Sequence, residues 1–92
     1  MALYHEAPRR LRPPPRPHQL RLQRALAGGL YGQAALYEKA ARFTGDKQER
    51  RASLVAARIC YERVVDEFPH SEWAEQAHVR VVEINQQQGK NP

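Results

Sequence analysis

Residues 57–77 read ARICYERVVDEFPHSEWAEQA, and the architecture follows from their order. Leading up to Pro69, Leu54, Ala57, Tyr61, Val64 and Phe68 recur at intervals of three, four, three and four, which is one face of an α-helix. Pro69 stops that helix, because its ring disfavours helical geometry at the residue before it. Ser71 is a suitable cap for a following helix, with Glu72 and Glu75 near the positive end of its dipole. Beyond the turn, Ala74, Ala77, Val81 and Ile84 repeat the same spacing. A turn as short as Pro69-His70-Ser71 forces the two helices into an antiparallel hairpin. Tyr61 and Phe68 set against Ala57, Ala74 and Ala77 supply the alternation of large and small that lets the hairpin interdigitate.

Upstream, Leu30, Ala34, Tyr37 and Ala41 form a further apolar stripe, ended by Gly45-Asp46, a stop followed by a cap. The segment Lys47–Arg51 is polar and solvated. The spacing therefore predicts helices near 30–44, 47–68 and 72–87, with a polar fade-out after Asn85. A short helix near 18–27 carries Leu20, Leu22 and Leu26, and Gly28-Gly29 weakens its continuation. The expected core is Leu30, Tyr37, Leu54, Ala57, Tyr61, Val64, Phe68, Ala77, Val81 and Ile84. The division is a disordered or extended Pro/Arg-rich arm over 1–19, a helical domain over 20–88 and a tail over 89–92. Pro8, Pro13, Pro14, Pro15 and Pro17 remove backbone donors and favour polyproline II in the arm.

The residues Ala57, Tyr61, Val64, Phe68-Pro69-His70-Ser71, Ala74 and Ala77 resemble a tetratricopeptide repeat. The nearest type is that of bacterial envelope proteins, the outer-membrane assembly lipoproteins and the Tol-Pal-associated periplasmic protein. In that resemblance Ala57 is the small residue and Tyr61 the aromatic of the second helix. Phe68 to Ser71 is the turn, and Ala74 and Ala77 open the next repeat. Leu36 to Ala40 and Gly45-Asp46 are similar to the first helix and its turn. Gly45 stands 24 residues before Pro69, roughly two helical turns more than the family spacing, an insertion that preserves the helical face. The resemblance implies an all-α hairpin with one preceding helix, acting in protein–protein interaction or as a scaffold. Repeat arrays need about three repeats to stack stably, and this chain carries fewer. A protein partner or self-association is the expected remedy.

The formal charge of +5 is unevenly placed. Residues 1–24 hold Arg9, Arg10, Arg12, Arg16, Arg21 and Arg24 against Glu6, whereas basic and acidic side chains balance over 25–92. Those six arginines are the candidate partner-binding residues, suited to phosphate contacts with nucleic acid or to an acidic protein surface. With no aromatic interleaved to stack bases, such binding would be non-specific. Arg12-Pro13-Pro14-Pro15-Arg16-Pro17 also has the form of a polyproline ligand, and a solvated tail is the blander alternative.

Nothing in the sequence reads as a catalytic constellation, and no cofactor or metal site is expected. His5, His18, His70 and His78 share no ligand spacing, and Cys60 with His78 falls short of the four ligands of a structural zinc site. Gly28-Gly29-Leu30-Tyr31-Gly32 lacks the Lys-Ser/Thr of a phosphate loop. Ser53, Ser71 and the paired carboxylates are explained by solvent and capping. No membrane span is expected. With neither a signal-peptide core nor a lipid-anchor cysteine evident, the reading leaves the compartment open and favours the cytoplasm.

Overall fold

The computed structural model describes residues 16–90. The described residues form three helices: α1 Pro17–Phe43, α2 Lys47–Glu67 and α3 Glu72–Lys90. The chain is all-α, as the hydrophobic periodicity requires. The middle helix, α2, packs extensively against both neighbours, while α1 and α3 run parallel to each other and touch more sparingly.

Two corners set this arrangement. At the first, Asp46 caps α2, its Oδ1 accepting from the backbone N–H of Gln48 (2.8 Å) and Glu49 (3.3 Å). The Thr44 hydroxyl donates to Glu49 Oε2 at 2.7 Å, and the Asp46 N–H donates back to that hydroxyl at 3.2 Å. This fixes the corner through side chains, and Gly45 has no positive φ. At the second corner, Ser71 serves the end of α2. Its hydroxyl donates to the Phe68 carbonyl at 2.8 Å, satisfying an acceptor that the helix leaves orphaned. The sequence had suggested Ser71 as a cap for α3.

The expected interruption at Gly28-Gly29 does not occur: α1 runs unbroken for 27 residues. Pro17 stands at its first position, where a missing N–H costs nothing. The Arg16 backbone N–H is taken up by Gln19 Oε1 at 3.0 Å. Gly28 is held in the helix by a tertiary contact. A Cβ placed there would lie 3.1 Å from Nε1 of Trp73, so glycine is what lets the indole lie against the α1 backbone. At the other end of the chain, α3 continues through Gly89, past its expected limit near residue 87.

The core is built from Ala27, Ala34, Ala57, Tyr61, Val64, Ala77 and Ile84, all essentially inaccessible. Leu30, Leu54, Phe68 and Val81 are half-buried against it. Tyr37 is the exception to the expected set, being 37% exposed. The α1 face that turns inward carries Ala27, Ala34, Glu38 and Ala41, with Leu30 half-buried beside them. The expected stripe of Leu30, Ala34 and Ala41 thus faces the core, and Glu38, not Tyr37, completes it. The aromatic contribution of α1 comes from Tyr31. Its ring meets Tyr61 edge-on at a centroid distance of 5.1 Å and Trp73 in a tilted stack at 5.0 Å, joining all three helices.

Candidate functional site

Of the six candidate arginines, Arg9, Arg10 and Arg12 lie outside the described residues. Arg16 is the residue preceding α1, and Arg21 and Arg24 are exposed in its N-terminal third. The structure does not gather these last three into a pocket. Arg24 lies 3.4 Å from Glu72 of α3, an exposed pair that links the two outer helices.

The densest polar chemistry lies elsewhere, where one residue from each helix converges. Glu38 of α1 is only 7% exposed. Its Oε1 accepts from the Tyr61 hydroxyl of α2 at 2.6 Å and from Nε of Arg80 of α3 at 3.0 Å. Its Oε2 accepts from Arg80 Nη2, which completes a bidentate fork. Arg80 Nη1 is spent on Glu83 one turn further along α3.

Burial is the largest single influence on Glu38 and opposes its charge. The hydrogen bonds from Arg80 and Tyr61, with the charge of Arg80, outweigh it and hold the carboxyl below its ordinary range. Burial first, then donation to Glu38, pushes the Tyr61 phenol above its usual value. The bond to Glu38 keeps the Arg80 guanidinium more firmly protonated. All three groups are thus fixed in the protonation state that their mutual bonds require, a tie rather than a proton relay.

This tie was legible in part. Ala27, Ala34 and Ala41 recur at sevens, and Glu38 falls on their face, four residues after one and three before the next. What the sequence withheld was the pair of partners 23 and 42 residues away. Around the tie lies an open groove of about 730 Å3, bordered by Tyr31, Leu54, Arg42 and Arg50. Arg50 donates to the Thr44 carbonyl at 3.2 Å.

The second notable surface is the outward side of α1. Leu22, Leu36 and Phe43 are 61%, 67% and 79% exposed, with Leu26 about half exposed. These residues lie along one side of the helix, Leu22 and Leu26 near its start and Leu36 and Phe43 near its end, with Gly29 and Gly32 between the two groups. A helix apolar on two sides is characteristically covered on both.

Among the described residues, no group of three or more His, Cys, Asp or Glu side chains is placed to hold a metal ion, and no helix is long and apolar enough to cross a membrane. No protein-family model, curated protein or solved structure matches the chain.

Proposed function

We propose that this chain is a non-catalytic protein–protein interaction or scaffold module of tetratricopeptide-like type. The observation that carries the reading is α1, which buries one face in the core and leaves a second row of large apolar side chains in water. Supporting it, the helix–Pro-turn–helix has Ala57, Tyr61 and Ala77 buried where the resemblance expects packing residues. The polar cluster at Glu38 spends its donors and acceptors internally.

The test is photo-cross-linking in cells that make the chain, with a photoreactive amino acid at Leu36 and, as control, at exposed Gln86 on α3. Discrete protein adducts from position 36 and not from 86 are expected. The absence of protein adducts at 36 overturns the reading.

The charge distribution favours a second reading, an accessory subunit that uses its basic N-terminal segment on nucleic acid or an acidic partner. Its signature is salt dependence. Affinity for generic DNA or RNA falls steeply between about 50 and 200 mM salt when several phosphates are contacted. Affinity indifferent to salt removes that alternative.

A further inference from the structure

The outward residues of α1 are spaced in a way that says what covers them. Leu22, Gly29, Leu36 and Phe43 follow one another at sevens, with Ala25 and Gly32 between them, and all six are exposed. This is the heptad spacing of a helix-pairing seam, with large residues at 22, 36 and 43 and small ones between, set on the side of α1 opposite its buried alanines. We propose that the seam pairs with the same seam of a second copy, in antiparallel orientation, so that the chain works as a symmetric dimer. The proposal rests on the reading of the chain as an interaction module and names its partner.

Three observations select this occupant. The first is self-complementarity, which a two-fold interface demands because each contact occurs twice with roles exchanged. Pairing two copies antiparallel about the midpoint between Gly29 and Gly32 sets Leu36 against Ala25, Leu22 against the aliphatic stem of Lys39, and glycine against glycine. Leu22 and Leu36 thus each meet a small or flexible residue, and Phe43 falls opposite His18 at the end of the helix. A parallel pair would also set glycine on glycine, but would stack Leu22, Leu36 and Phe43 each on itself, with no small residue opposite any of them. A Cβ at Gly29 or Gly32 would touch nothing in the monomer, so neither glycine is required by the fold of one chain.

The second observation is charge. The whole net charge of +5 resides in residues 1–24, at and ahead of the start of α1. Antiparallel pairing sends the two basic segments to opposite ends, whereas parallel pairing brings them together. The third is area. At 27 residues, α1 is about 40 Å long, and the outward half of its surface is on the order of 800 Å2, the share that each partner of a standard interface contributes. The outer side of α3 offers less: Val79 and Val82 are about half exposed there, among Glu75, Glu83 and Gln86.

Sedimentation equilibrium of the full chain from about 1 to about 100 μM is expected to show a species of twice the 10.6 kDa chain mass. Leu36→Arg is expected to weaken pairing by about 100-fold or more. Val79→Arg, at a comparably apolar exposed site on α3, leaves it unchanged. Orientation is read in a Cys60→Ser background by mixing chains carrying Ala25→Cys with chains carrying Leu36→Cys. Disulfides between unlike chains, and few between like ones, are expected.

A chain monomeric throughout, disulfides mainly between like positions, dissociation by Val79→Arg but not by Leu36→Arg, or a cross-link from position 36 into residues 1–15 of its own chain would each overturn the proposal. If the purified chain is monomeric while position 36 captures a different protein in cells, self-pairing falls and the interaction-module reading stands. If position 36 captures nothing and the chain is monomeric, both fall.

Discussion

Glu38 is the residue on which the most depends, because a buried carboxylate is stable only while its partners are present. Removing Arg80 leaves that charge against the core with the Tyr61 hydroxyl alone. A fully buried pair broken in this way costs roughly 3–5 kcal/mol. Arg80 is 30% exposed and water partly replaces it, so Arg80→Ala is expected to cost about 2 kcal/mol in urea denaturation. Tyr61→Phe, which deletes one bond to a charged acceptor and keeps the ring, costs about 1.5 kcal/mol. Acid acts on the same carboxyl. Its pKa is lower in the folded chain than the unfolded value of 4.5, so as pH falls below that value the unfolded state takes up protons first. The stability contributed by Glu38 is therefore complete above about pH 4.5 and is lost as pH falls through the folded value. Urea midpoints measured from neutrality into acid should show this decline, and Glu38→Gln should flatten it.

The three glycines inside α1 separate intrinsic propensity from tertiary contact. Glycine costs a helix interior about 1 kcal/mol relative to alanine. Gly29→Ala meets nothing and should raise the stability of the single chain by about that much. Gly28→Ala brings a methyl to 3.1 Å from the Trp73 indole, and should gain less or lose stability as the indole shifts. Thermal melts of both variants, at concentrations too low for self-association, provide the comparison. This contrast also shows why α1 was the least legible helix. Its glycines look like a break to any local measure, and the contact that accommodates Gly28 comes from a residue 45 positions further on. The α2–turn–α3 hairpin was legible because its determinants are local: Pro69, a cap at Asp46 and stripes on both sides of the turn. On α1 the stripe of Leu30, Ala34 and Ala41 was legible and only Tyr37 was misplaced, because it is the larger apolar group and the glutamate beside it is ordinarily assigned to solvent. The seam of Leu22, Gly29, Leu36 and Phe43 stood in the sequence throughout, and only the burial of the opposite face set it apart as uncovered.

For the whole molecule, pairing through α1 ties stability to concentration. A partner that binds only the folded chain raises the unfolding midpoint by mass action. The midpoint of the full chain should therefore climb as concentration rises tenfold and tenfold again, and Leu36→Arg should abolish the climb without lowering the midpoint at high dilution. The three-helix layer also carries its own optical gauge. Trp73 is the sole tryptophan, and it sits on α3 within 5.0 Å of the Tyr31 ring on α1. Light absorbed by Tyr31 is passed to the indole only while those two helices are docked. Tyr61 of α2, 5.1 Å from Tyr31, is a second donor close to the indole. Tyrosine-sensitised tryptophan emission thus reports the docking of α3 on the other two helices, and a detachment of α3 that spares the α1–α2 pair would dim it before helical circular dichroism changes.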